Sequence, residues 1–207
     1  MVKKKSIKEI ILPNQKINFF VITIMILGII SGSIFLMILN QTDKNNVILQ
    51  IKNFFDNIRN NKIDNGQALK NSLIINYIWI GCIWILGLSM IGIVINIFLT
   101  YIKGFILGFS ISSIFLTYKY KGIIASLLFC IPTQIINITI IITLTIYSIM
   151  FSNNLLKIII SKKGNNRLML KKYSLILMIC IIGSFISSLL EAYFFPNILK
   201  LVINIYK

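Results

Sequence analysis

Residues 85–134 read ILGLSMIGIVINIFLTYIKGFILGFSISSIFLTYKYKGIIASLLFCIPTQ. The only charges in this stretch are Lys103, Lys119 and Lys121, and glycines recur at Gly87, Gly92, Gly104, Gly108 and Gly122. A helix rises ~1.5 Å per residue and the hydrocarbon layer is ~30 Å thick, so an apolar run of ~18 or more residues can cross a bilayer. The glycines imply helices whose backbones lie close together. Of the 207 residues, 57% are hydrophobic, above the ~45–50% of soluble domains. We read residues 1–207 as one integral membrane domain.

The net charge of +16 comes from 21 basic and 5 acidic residues. The basic residues flank apolar runs, which fits anchoring at a membrane surface, with lipid as the partner rather than nucleic acid. There is no histidine, and the acids are Glu9, Asp43, Asp56, Asp64 and Glu191. Cys82, Cys130 and Cys180 each lie inside an apolar run, where a thiol is a small packing residue. No catalytic pair, metal set or cofactor motif stands out, so a non-enzymatic protein is expected.

Outward from the central stretch, residues 1–16 form a basic tail, and Ile17–Leu39 is the first apolar run, with Gly28 and Gly32 spaced for close helix contact. Residues 40–72 are polar. Within them Val47, Ile51, Phe54, Phe55 and Ile58 recur near a 3.6 period, which predicts an amphipathic helix. Leu73–Ile102 is the next run, closed by Lys103. Gly104–Tyr118 is short for a span, with Gly104, Gly108 and Ser112 as a small-residue ladder. Gly122–Leu156 is too long for one straight span, and Pro132 is expected to break it, with Gln134 and Asn137 close by. The basic loop 157–172 precedes the last span, Tyr173–Leu190, which has Gly183, Ser184, Ser187 and Ser188 on a small-residue face and ends at Glu191 and Pro196.

Placing the basic tail and the basic loop in the cytoplasm requires an even number of crossings between them. Ile17–Leu39, Leu73–Ile102, Gly104–Tyr118 and Gly122–Ser152 supply that number, which leaves residues 40–72 and Glu191 outside. The expected fold is therefore an all-α polytopic membrane bundle of about five transmembrane helices, with a fourth segment broken at Pro132 and an external amphipathic helix. Candidate partner or packing contacts are Phe54, Phe55, Gly104, Gly108, Pro132, Gln134, Glu191 and Pro196. The small-residue faces leave room for a second copy of the chain.

Four blocks resemble the stage II sporulation protein M family of endospore-forming bacteria. They are Trp84-Ile-Leu-Gly87-Leu-Ser89-Met-Ile-Gly92, Lys103-Gly104-Phe105-Ile-Leu-Gly108-Phe109, Gly122 with Pro132, and Ser188-Leu-Leu-Glu191-Ala-Tyr193-Phe-Phe-Pro196. Where the family pattern often has a second proline, this chain has Thr139. The resemblance implies a scaffold for forespore engulfment at the septum, in the mother-cell membrane. The implied partners are stage II sporulation proteins D and P, which degrade peptidoglycan. The general layout also resembles the membrane subunit of an ABC-type exporter, which would need a separate ATPase because this chain has no phosphate-binding G-x-x-x-x-G-K-[ST] loop.

Overall fold

A computed structural model describes residues 15–60, 62, 64–161, 166–194 and 196–197, with the backbone alone at 120–133, 161, 166 and 168. The basic tail before Gln15 and residues 162–165 of the basic loop lie outside the described residues. The described elements are helices: α1 (Gln15–Ile38), α2 (Gln41–Arg59), α3 (Asn65–Gly87), α4 (Gly92–Ser161) and α5 (Asn166–Leu189), which runs into a π-helical turn at Leu190–Phe194. Among the described residues, five segments are long and apolar enough to cross a membrane, namely α1, α3, the two limbs of α4 (Gly92–Lys119 and Gln134–Ile160) and Met169–Phe194. Large apolar side chains such as Phe19, Ile78, Phe98, Ile135 and Met178 point outward all round the bundle. That is the pattern of a surface solvated by lipid, where exposing an apolar side chain costs nothing.

The number of crossings is as expected, but two boundaries move. The second apolar run hides a turn at Leu88–Ile91. Gly92 makes this turn possible, since a Cβ there would lie 1.6 Å from the Leu86 carbonyl oxygen. Ser89 caps the next helix by accepting from the Gly92 N–H at 3.0 Å. The third crossing therefore begins at Gly92, and Gly104–Tyr118 is its outer half, neither a short span nor a re-entrant segment. Lys103, which was expected to close the second span, lies inside the third.

The backbone of α4 departs from helix at the end of its first limb. The described departure from helical backbone in α4 is at Lys119 (φ 50°, ψ −129°), while the backbone at Pro132 is assigned as helix and its side chain lies outside the described residues. A non-glycine residue in this region is strained by ~1–3 kcal/mol. Lys119→Gly is therefore expected to stabilise the protein by about 1 kcal/mol, read as a higher midpoint of thermal unfolding in detergent.

The predicted small-residue ladders meet each other. Gly28 and Gly32 of α1 face Gly104, Phe105 and Gly108 of α4 so closely that any added Cβ would strike backbone. α1 and the first limb of α4 run parallel, with Met25 beside Gly104 and Ser33 beside Gly108. The second limb runs back, pairing Thr145 with Thr100 and Ser148 with Asn96. α5 lies antiparallel to both α3 and that second limb, because Tyr173 reaches Ile83 and Trp84 while Cys180 lies against Ile140. The apolar core between them comprises Ile80, Ile83, Ile141, Leu144, Phe151 and Tyr173.

α2 is amphipathic as predicted. It lies across one end of the bundle, with Phe55 and Ile58 buried and the Phe55 ring 4.9 Å from that of Tyr118. The α3 helix then starts at Asp64, whose carboxylate accepts from the N–H groups of Gly66 and Gln67.

Candidate functional site

Membrane bundles hide polar groups only where they find partners. This bundle buries many, in two clusters that extend toward opposite ends and approach each other at Thr100 and Lys103. At the end away from α2, Asn96 donates to the Ile83 carbonyl at 3.0 Å and to Ser148 Oγ. The hydroxyls of Thr100 and Thr145 stand 2.9 Å apart. Ser152 Oγ lies 2.8 Å from the Gly87 carbonyl oxygen and 3.0 Å from that of Ser89. The Tyr173 hydroxyl is shared between the carbonyls of Ile83 and Trp84, while its ring stacks between Phe151 and Trp84. Each hydroxyl here closes a backbone group or another side chain, so this cluster holds helices together.

The cluster at the α2 end carries charge. Glu191 sits on the π-helical turn, a local widening of the helix that recurs at functional sites. Ser72 Oγ of α3 donates to the Glu191 carboxylate at 2.7 Å and lies 3.0 Å from Ser188 Oγ. A hydroxyl has one proton, so with Ser72's committed to the carboxylate, Ser188 supplies the proton for the second contact. The Asn76 amide donates to both serines, at 3.3 and 3.2 Å. Lys103 is buried nearby, at 8% exposure, with its ammonium 5.4 Å from the centroid of the Trp79 ring.

Two hollows adjoin this cluster. One, of about 230 Å³, lies between α2, α3 and the π-helical turn, and Phe54, Ser72, Glu191 and Pro196 line it. The other, of about 330 Å³, lies beneath α2 and is lined by Phe54, Phe55, Lys103 and Gln134 among others. The structure thus brings Phe54, Glu191 and Pro196 to one cleft, and Phe54, Phe55 and Gln134 to the next. Phe54 is 40% exposed, whereas Phe55 is buried and fastens α2 to α4. Gly104 and Gly108 are buried against α1, away from both hollows.

The sequence reading did not single out Ser72 or Asn76, and it took Lys103 as a span end and Ser188 as part of a small-residue face. The signal was there: Asn96, Thr100 and Lys103 fall at i, i+4 and i+7 inside an apolar run, so three polar groups share one face of one helix. Among the described residues, no group of three or more His, Cys, Asp or Glu side chains is placed to hold a metal ion.

The fold and these clusters define a polytopic all-α membrane protein with a polar interior. The chain matches the family described as Stage II sporulation protein M over residues 20–196, and it belongs to that family. No curated protein and no solved structure matches it. It is a multi-pass membrane protein related to sporulation.

Proposed function

We propose that this chain is a non-enzymatic membrane scaffold for forespore engulfment during endospore formation. It recruits the peptidoglycan-degrading stage II sporulation proteins D and P to the septum, from the mother-cell membrane. The observation that carries this reading is the family match over residues 20–196, which takes in every crossing helix, α2 and the Glu191 turn. The orientation follows from charge. Lys157, Arg167 and Lys171 are exposed at the end away from α2, and cytoplasmic loops are enriched in Lys and Arg. The α2 end then faces outward, where peptidoglycan is. Phe54, Glu191 and Pro196 there present an apolar and acidic cleft to a partner.

One observation favours a second reading. The hollow beneath α2, walled mainly by apolar side chains with Lys103, Gln50 and Gln134 among them, suits a membrane subunit of an ABC-type exporter, which binds its substrate inside the bundle. Deleting the gene in its host and imaging septal membranes during sporulation separates the two. The scaffold reading expects the mother-cell membrane to stall at a thick, bulging septum while vegetative growth is normal. Normal engulfment, with loss of export of some compound, would establish the exporter instead.

A further inference from the structure

We infer that the hollow beneath α2 is a binding site for the anionic headgroup of a membrane phospholipid, with Lys103 as its anchoring cation. Lys103 stands inside a crossing helix, and its side chain lines the hollow together with Gln50, Phe54, Ile106, Ser110 and Gln134. A charged side chain at this depth is costly unless something compensates it. The compensation on the protein side is partial. The Trp79 ring lies 5.4 Å away, a cation–π contact and not a counter-ion. An anion delivered into the hollow completes the charge balance that the described residues leave open.

The walls select the rest of the ligand. Gln50 and Gln134 offer amide N–H groups to phosphate and glycerol oxygens, whereas the Ser110 hydroxyl proton goes to the Ile106 carbonyl at 2.8 Å. At about 330 Å³ the hollow lies within the usual ~300–1,000 Å³ of small-molecule sites, enough for a headgroup and not for a whole lipid. Ile106 is 46% exposed on the lipid-facing side and Phe54 40% exposed on α2. The hollow is therefore walled on one side by Ile106 of a crossing helix, which also faces the bilayer. A lipid can enter sideways with its acyl chains left among other lipids, which a soluble anion cannot exploit. α2 covers the site from above, with Phe55 packed on Tyr118.

Native mass spectrometry of the full chain in detergent, with equal amounts of phosphatidylglycerol and phosphatidylcholine, tests this. The wild type is expected to retain phosphatidylglycerol with about a fivefold to tenfold preference. Lys103→Met should bring the ratio to about one, and Lys103→Arg should keep it. Ser110→Phe, which fills the hollow and leaves Lys103 in place, should lose the retained phosphatidylglycerol. That variant decides the matter alone if Lys103→Met does not yield folded protein. Equal retention of the two lipids by the wild type, or a preference that survives Ser110→Phe, would overturn the assignment. Displacement of the lipid by millimolar glycerol 3-phosphate would also overturn it, in favour of a soluble anion.

Discussion

Gly108→Leu is expected to leave almost no folded protein. A Cβ at residue 108 would lie 2.0 Å from the Ile29 carbonyl oxygen and 2.8 Å from the Ile29 Cα. Both are backbone atoms, so no side chain can swing aside. On the facing helix, Gly32 stands 2.1 Å from the Phe105 carbonyl oxygen by the same measure. α1 can accommodate the leucine only by moving away along its length, which gives up the packing that joins helices in lipid. Interiors overfilled by a few methylenes lose ~1–3 kcal/mol. Parting two backbones should exceed that, because lipid offers no hydrophobic force to press the helices back together. The test compares membrane abundance and thermal unfolding midpoint with those of Gly81→Ala, where nothing lies within 4 Å of the added methyl. Gly81→Ala should match the wild type. Equal abundance and equal midpoints for Gly108→Leu would show that α1 does not pack there.

Glu191→Lys is expected to be the second most damaging change. It removes the acceptor of the Ser72 hydroxyl, found at 2.7 Å, and adds a second cation to the end of the bundle that already holds the buried Lys103. Leaving a half-buried donor without a partner costs ~1–3 kcal/mol, and repulsion inside the bundle adds to it. Glu191→Gln keeps an oxygen for Ser72 and loses only the charge, so its cost should stay below ~1.5 kcal/mol. The expected order of thermal unfolding midpoints is therefore wild type, Glu191→Gln, then Glu191→Lys well below both. A midpoint for Glu191→Lys equal to that of Glu191→Gln would mean that Lys103 does not sense the charge at 191. The comparison also serves the functional reading, because Glu191→Gln is the variant stable enough to ask whether the carboxylate contributes to recruitment.

What the sequence disclosed follows from which forces are local. Gly28, Gly32, Gly104 and Gly108 were legible because close approach demands small residues at fixed spacing, whatever the partner helix is. The amphipathic α2 was legible because a surface helix must segregate Val47, Ile51, Phe55 and Ile58 to one face. The turn at Leu88–Ile91 was hidden, since its residues are as apolar as the spans it joins and only Ser89 marks it. Lys103 was read as a span end because a cation usually sits at the interface. Its burial is a tertiary matter, with the Trp79 ring of another helix 5.4 Å from its ammonium. The backbone departure at Lys119, at the end of the third crossing, is likewise a tertiary outcome. A lysine has no local preference for that backbone, and the packing on either side imposes it.

The site was half legible. Phe54, Glu191 and Pro196 stood out one by one, and the structure adds that they share a cleft. The serines and Asn76 that hold Glu191 did not stand out, because small polar residues inside apolar runs look the same whether they join helices or shape a site.

The central claim is that the outward end of this bundle holds peptidoglycan-degrading partners at the septum. The most direct test is to image fluorescently tagged stage II sporulation proteins D and P in sporulating cells, with the gene for this chain intact or deleted. The claim predicts that both partners gather at the septum when the chain is present and spread through the membrane when it is absent. Partners that still gather at the septum in the deletion strain would contradict it.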